Sequence, residues 1–113
     1  MADVTRVQND TGPPIRDQLV TDGDPDDIDG ATVAFTLWEA GGSKTIIVDE
    51  NTANVTIEDA ATGQVRYDFQ SGDLSDVDTY AYEWEVTYAD GTIITYRRET
   101  GAPKELRVFE EGA

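Results

Sequence analysis

Residues 73–91 read DLSDVDTYAYEWEVTYADG. From Tyr80 onward the large apolar side chains fall on every second position, Tyr80, Tyr82, Trp84, Val86 and Tyr88, with Glu83, Glu85 and Thr87 between them. A period of two is that of an extended chain with one dry face and one wet face. The stretch therefore predicts a long, half-buried strand. Asp90-Gly91 suits a two-residue hairpin turn, and ADGTIITYRRE reads as the returning strand.

The same pattern extends outward in both directions. ATVAFTLWEA sets Val33, Phe35 and Leu37 on one face and Thr32, Thr36 and Trp38 on the other. GGSKTIIVDEN reads as a Gly41-Gly42 turn and a short strand from Ile46 to Val48. NVTIED turns Val55 and Ile57 inward, and TGQVRYDFQSG does the same with Val65, Tyr67 and Phe69. KELRVFEE puts Leu106 and Val108 on one face and Phe109 on the other. Upstream, VTRVQ and PIRDQLV read as two more short strands, broken by residues 9–14. The one candidate for a helical turn is Gly72 to Val77. About 7–9 short strands at this spacing predict an all-β, antiparallel sandwich. Asp76 stands four residues before Tyr80, the spacing of a tyrosine corner, in which the ring enters the core and the hydroxyl bonds backbone where the chain turns into a late strand of an immunoglobulin-like sandwich. With 113 residues, residues 1–113 are expected to form a single domain.

Composition removes several classes of function. The chain has no Cys and no His, hence no disulfides, no Cys-based metal site and no histidine base. Catalytic residues and cofactors are not expected. Asp and Glu number 24 against 8 Lys and Arg, a net charge of −16. Binding to nucleic acid or to an anionic membrane surface is disfavoured by that balance. No apolar run approaches the roughly 20 residues of a membrane-spanning helix, and no signal peptide is visible at the N-terminus. Abundant Asp, two lysines and an ordinary apolar pattern point to a salt-loving source. In molar salt the Debye length is about 3 Å, which screens the self-repulsion of such a chain.

Each remaining motif carries a chemical and a bland reading. DGDPDDIDG, residues 22–30, sets Asp22, Asp24 and Asp26 at alternate positions, as calcium loops do. The sixth position of an EF-hand loop must be Gly and is Asp27, and the twelfth must be Glu and is Val33. An EF-hand is thus excluded, leaving a non-EF cation site or a solvated loop shaped by Gly23, Pro25 and Gly30, with Ile28 tucked beneath the sandwich. Glu83 and Glu85 share a strand face but read as a solvated surface rather than a glycosidase pair. Ser43, Ser71 and Ser75 lack a histidine base. Asn9 and Asn54 begin glycosylation-type triplets that are common by chance. Arg97 and Arg98, with Arg66 and Arg107, are candidates to meet acidic neighbours in an assembly, or are solubilising residues at a strand end. Trp38 and Phe109 oppose their strands' core residues, as interface aromatics do, or are covered by the N-terminal segment.

The order of these motifs resembles the immunoglobulin-like domain at the N-terminus of upper baseplate proteins of tailed phages, also found as small separate proteins in other tailed viruses. The pieces that carry the resemblance are Asp10-Thr11-Gly12-Pro13, Ile28-Asp29-Gly30-Ala31, Gly63-Gln64-Val65-Arg66-Tyr67, Gly72-Asp73-Leu74, Tyr80 and Tyr88-Ala89-Asp90-Gly91, within residues 6–109. The resemblance implies a non-enzymatic virion protein in the tail or baseplate or decorating the capsid. It also implies other virion proteins as partners, further copies of the chain in an assembly, and a location in the virion, which assembles in the host cytoplasm. The baseplate versions continue into a longer C-terminal region, whereas this chain is expected to be free-standing. The alternatives are a glycan- or cell-surface-binding module using Trp38 and Tyr96, and a calcium-dependent adhesion domain.

Overall fold

A computed structural model describes residues 3–40, 45–98 and 101–110. The expected Gly41-Gly42 turn and Ser43 lie outside the described residues. Eleven strands are present in the order β1 (Val4–Val7), β2 (Ile15–Gln18), β3 (Val20–Thr21), β4 (Asp24–Pro25), β5 (Thr32–Glu39), β6 (Ile46–Asn51), β7 (Val55–Asp59), β8 (Gln64–Tyr67), β9 (Thr79–Thr87), β10 (Ile93–Tyr96) and β11 (Lys104–Phe109). The larger sheet runs β1-β11-β9-β5-β6, with β10 also on β9, and the smaller runs β2-β8-β7. The chain is an all-β, immunoglobulin-like sandwich.

The expected alternation decides which faces meet. Val33, Phe35 and Leu37 of β5 and Tyr80, Tyr82, Trp84 and Val86 of β9 are buried, and so are Val65 and Tyr67 of β8 and the following Phe69. Phe35 joins the sheets by stacking on Tyr67 with ring centroids 4.2 Å apart, and its ring also lies 4.8 Å from Trp84. Such aromatic contacts add about 1 kcal/mol beyond the area they remove from water. Between the sheets, the carboxylate of Asp17 on β2 accepts from the Trp84 indole N–H and from the Lys104 ammonium, both at 2.7 Å. One charged side chain thus ties the small sheet to two strands of the large one.

Four features differ from the reading of the sequence. The strands outnumber the expected 7–9 because the two-residue pieces β3 and β4 form beyond β2. Tyr96 lies opposite Trp84 and Lys104 opposite Tyr82, so β10 ends and β11 begins on either side of Glu83. β1 runs parallel to β11 rather than antiparallel, because the chain must cross from one sheet to the other through residues 8–14. No helix forms among the described residues; within Gly72 to Val77 a turn covers Gly72 to Leu74 and the rest is irregular.

The two Asp-Gly pairs also exchange roles. Tyr88 N–H donates to Thr92 O at 2.8 Å and Gly91 N–H to Tyr88 O at 2.9 Å, which makes Ala89-Asp90-Gly91 a three-residue loop, not the expected two-residue turn. Only Gly91 in that loop takes a left-handed φ, +90°. The two-residue turn forms instead at Asp22-Gly23, where both residues have positive φ, 52° and 86°, as the hairpin geometry matching strand twist requires. At the base of that hairpin Gly63 closes the β7–β8 turn with φ +71°, and a Cβ there would meet Leu19 O at 2.7 Å and Asp26 O at 2.8 Å.

Candidate interaction surface

Backbone register assigns each candidate residue to a face. Trp38 pairs with Ala81 and Ile46, so it lies on the outer face of the large sheet, half-buried beside the exposed Ile46. Phe109 pairs with Val7 on the same outer face, and both are exposed. The Arg107 guanidinium sits 5.5 Å from the Phe109 ring centroid. The outer face therefore carries apolar groups at two places, Trp38 with Ile46 and Phe109 with Val7.

The arginines have partners within the chain. Arg97 pairs with Glu83 at 2.7 Å and also donates to Gly101 O, while Arg98 pairs with Asp3 at 2.7 Å. The hydrogen bond that Arg98 donates to the Asp3 carboxylate holds the Arg98 pKa above its ordinary value. Burial works to raise the Asp3 pKa, but the Glu105 amide and the Arg98 guanidinium outweigh it, so its carboxyl is held low. These ion pairs pin Arg97 to β9 and Arg98 to the N-terminal segment. Arg66 stands apart from them on β8 of the small sheet, between Glu58 and Asp68.

The aspartates of residues 22–30 do not converge. Asp22 is in the hairpin turn and Asp24 begins β4. The Asp26 carboxylate accepts from Thr21 Oγ1 and from the Tyr96 hydroxyl, each at 2.6 Å. Tyr96 also bonds the Tyr88 hydroxyl. Burial, then the Asp26 and Tyr88 contacts, push the Tyr96 pKa up. Asp26 is thus the latch that holds the β3–β4 hairpin against the large sheet. Among the described residues no three carboxylates form a metal-binding group.

Tyr80 donates its hydroxyl to Asp76 O at 2.7 Å, the bond of a tyrosine corner. Burial and the charge of Asp76 push its pKa up to about 12, so it stays a donor.

A cleft of about 760 Å³ opens between the β3–β4 hairpin and the inner side of β10, lined among others by Val20, Ile94, Tyr96, Arg97 and Arg98. Ile94 pairs with Val86 and faces the interior by register, yet it is 38% exposed while Val86 is fully buried. The sandwich is uncovered at this corner. Nothing in the sequence marks it, since the missing cover is a matter of which strands lie alongside.

No family model matches this chain, and no curated protein matches it. Its structure is similar to the crystal structure of CopC from Methylosinus trichosporium OB3b, with a TM-score of 0.57 over all of this chain and 89% of that one, at 11% identity. The likeness is one of fold. It extends over the whole sandwich.

Proposed function

We propose that this protein is a non-enzymatic structural component of a tailed virus of a salt-loving host, assembling through contacts with other virion proteins and with further copies of itself. The observation that carries the reading is the placement of apolar side chains on a chain of net charge −16: Ile46, Val7, Phe109, Ile93 and Ile94 are all exposed, on the outer face and edge of one sheet. Exposed apolar groups cost solubility unless a partner covers them. In molar salt long-range charge attraction is screened, so apolar and close polar contacts carry the binding. The ordered set of motifs in residues 6–109 supports a position in the tail or baseplate or on the capsid surface.

Mass spectrometry of purified virions tests the proposal: the protein is expected at stoichiometric copy number, and its absence from the particle sinks the idea. The glycan-binding reading needs Trp38 and Tyr96 on one concave face. It is disfavoured because Trp38 lies on the outer face whereas Tyr96 is buried on the inner one.

A further inference from the structure

We propose that two copies of this protein pair edge to edge through β10, antiparallel, about a two-fold axis at Ile94. The inference rests on the binding reading above and names one of its interfaces.

The edge is open and undefended. β10 pairs only with β9 among the described residues, because β1 and β11 occupy the other stretch of that sheet edge. Its residues 93–95 are exposed on both faces. Natural edge strands are usually blunted by charge or proline. Here every other described strand of four residues or more carries a charged residue, and β10, Ile-Ile-Thr-Tyr, carries none. On a chain this rich in carboxylates, an uncharged apolar strand at an edge is a surface kept free for another strand.

The occupant follows from register and charge. Tyr88 N–H bonds Thr92 O, so alternation turns the amide and carbonyl of Ile94 and Tyr96 toward β9 and those of Ile93 and Thr95 toward the open edge. A two-fold axis perpendicular to the sheet must keep inner residues opposite inner residues. Centred at Ile94, it sets Ile93 of each copy opposite Thr95 of the other, where their free backbone groups bond, and Ile94 opposite Ile94. Each Ile94 then covers the other at the mouth of the cleft. Asp90 lies in the loop before β10 and Arg98, paired with Asp3, lies just after it, so the loop end of each copy meets the arginine end of the other. An axis at Thr95 would instead use Arg97, which has left the strand. The contact is short and weak in isolation, and repetition in an assembly strengthens it.

The chain has no Cys, so a single introduced thiol reports the axis. Residues opposite one another in a non-bonded antiparallel pair have Cα atoms about 4.5 Å apart, within disulfide reach. In molar potassium chloride at high protein concentration, oxidised Ile94→Cys is expected to form a covalent dimer at least tenfold faster than Ile46→Cys on the far edge. Thr95→Cys alone should not, but mixed with Ile93→Cys it should give the heterodimer. Thr95→Pro removes an amide that faces the open edge, so sedimentation should show the dimer lost with the melting temperature little changed. Ile94→Cys linking no faster than Ile46→Cys overturns the proposal, as does a dimer that survives Thr95→Pro. In particles, Ile94→Cys linked to a different virion protein overturns self-pairing too. Cross-linking uses purified protein and virion composition uses particles, so the two proposals fail separately.

Discussion

The two halves of β9 show what it takes to finish an edge. Along its first half lie β11 and then β1, and the inward residues Tyr80, Tyr82, Leu106 and Val108 are all buried. Charged side chains stitch that half across the sandwich. Lys104 reaches Asp17, and Arg6 donates to Pro13 O and Pro14 O and lies over the Phe69 ring. Along the same side of its second half lies, among the described residues, β10 alone, and the inward Ile94 reaches water. There one carboxylate, Asp26, holds the hairpin through Tyr96. The same strand, with the same alternation, is dry or wet according to how many strands stand beside it. The inward pattern of a sequence reports which face is apolar, but not whether the sheet opposite extends far enough to cover it.

The contrast can be broken by cutting both halves. Leu106→Ala in the closed half is expected to cost about 2–5 kcal/mol, the range for a fully buried leucine, whereas Ile94→Ala should cost under about 1 kcal/mol. Denaturant unfolding in molar potassium chloride measures both, and equal losses would mean that the second half is closed as well. Asp17→Ala leaves the Trp84 N–H and the Lys104 ammonium without their acceptor, and about 1–3 kcal/mol should be lost. A neutral result would show that the stitch is not what holds the closed half.

Tyr96→Phe removes the latch. About 1 kcal/mol is expected, with faster hydrogen exchange in the β3–β4 hairpin and unchanged exchange in β5 and β9. Exchange that rises equally in all of them would make Tyr96 part of the common core instead.

The smallest effect concerns pH at the closed end. Partial burial, then the neighbouring Asp76 and Asp78, raise the Glu39 pKa above its ordinary value. A raised carboxyl favours the folded state most below its ordinary pKa, and that advantage is lost as pH rises through the folded value. Glu39→Gln should therefore raise the melting temperature slightly at neutral pH in dilute buffer, and the gain should vanish below about pH 4. A gain that persists in acid would rule out charge repulsion as its source.

Much of this was legible in the sequence. Period-two alternation in β5, β8 and β9 named the core faces, and the Asp76–Tyr80 spacing named the residues that the corner bond joins. What escaped the sequence depended on register and on neighbours. Asp22-Gly23 has no apolar alternation after it, so PIRDQLV was legible as one strand but no partner strand was visible beyond the turn, whereas Asp90-Gly91 is flanked on both sides and forms the longer loop. Lys104 sits at an inward position, where the Asp17 carboxylate across the sandwich makes a charge tolerable. Tyr96 turned inward because it lies opposite Trp84, a pairing set by the length of the loop before it. Arg97 and Arg98 pair with Glu83 and Asp3, fixed by where β10 ends at Tyr96.

The two tryptophans differ in a way that makes the molecule its own optical probe. Trp84 is sealed in the core, its indole bound to Asp17, while Trp38 lies on the outer face beside Ile46. Emission from a sealed indole is shielded from dissolved quenchers, and emission from a half-covered one is not. Any partner that lands on the outer face should therefore shield the quenchable fraction alone, and any loosening of the core should expose the other.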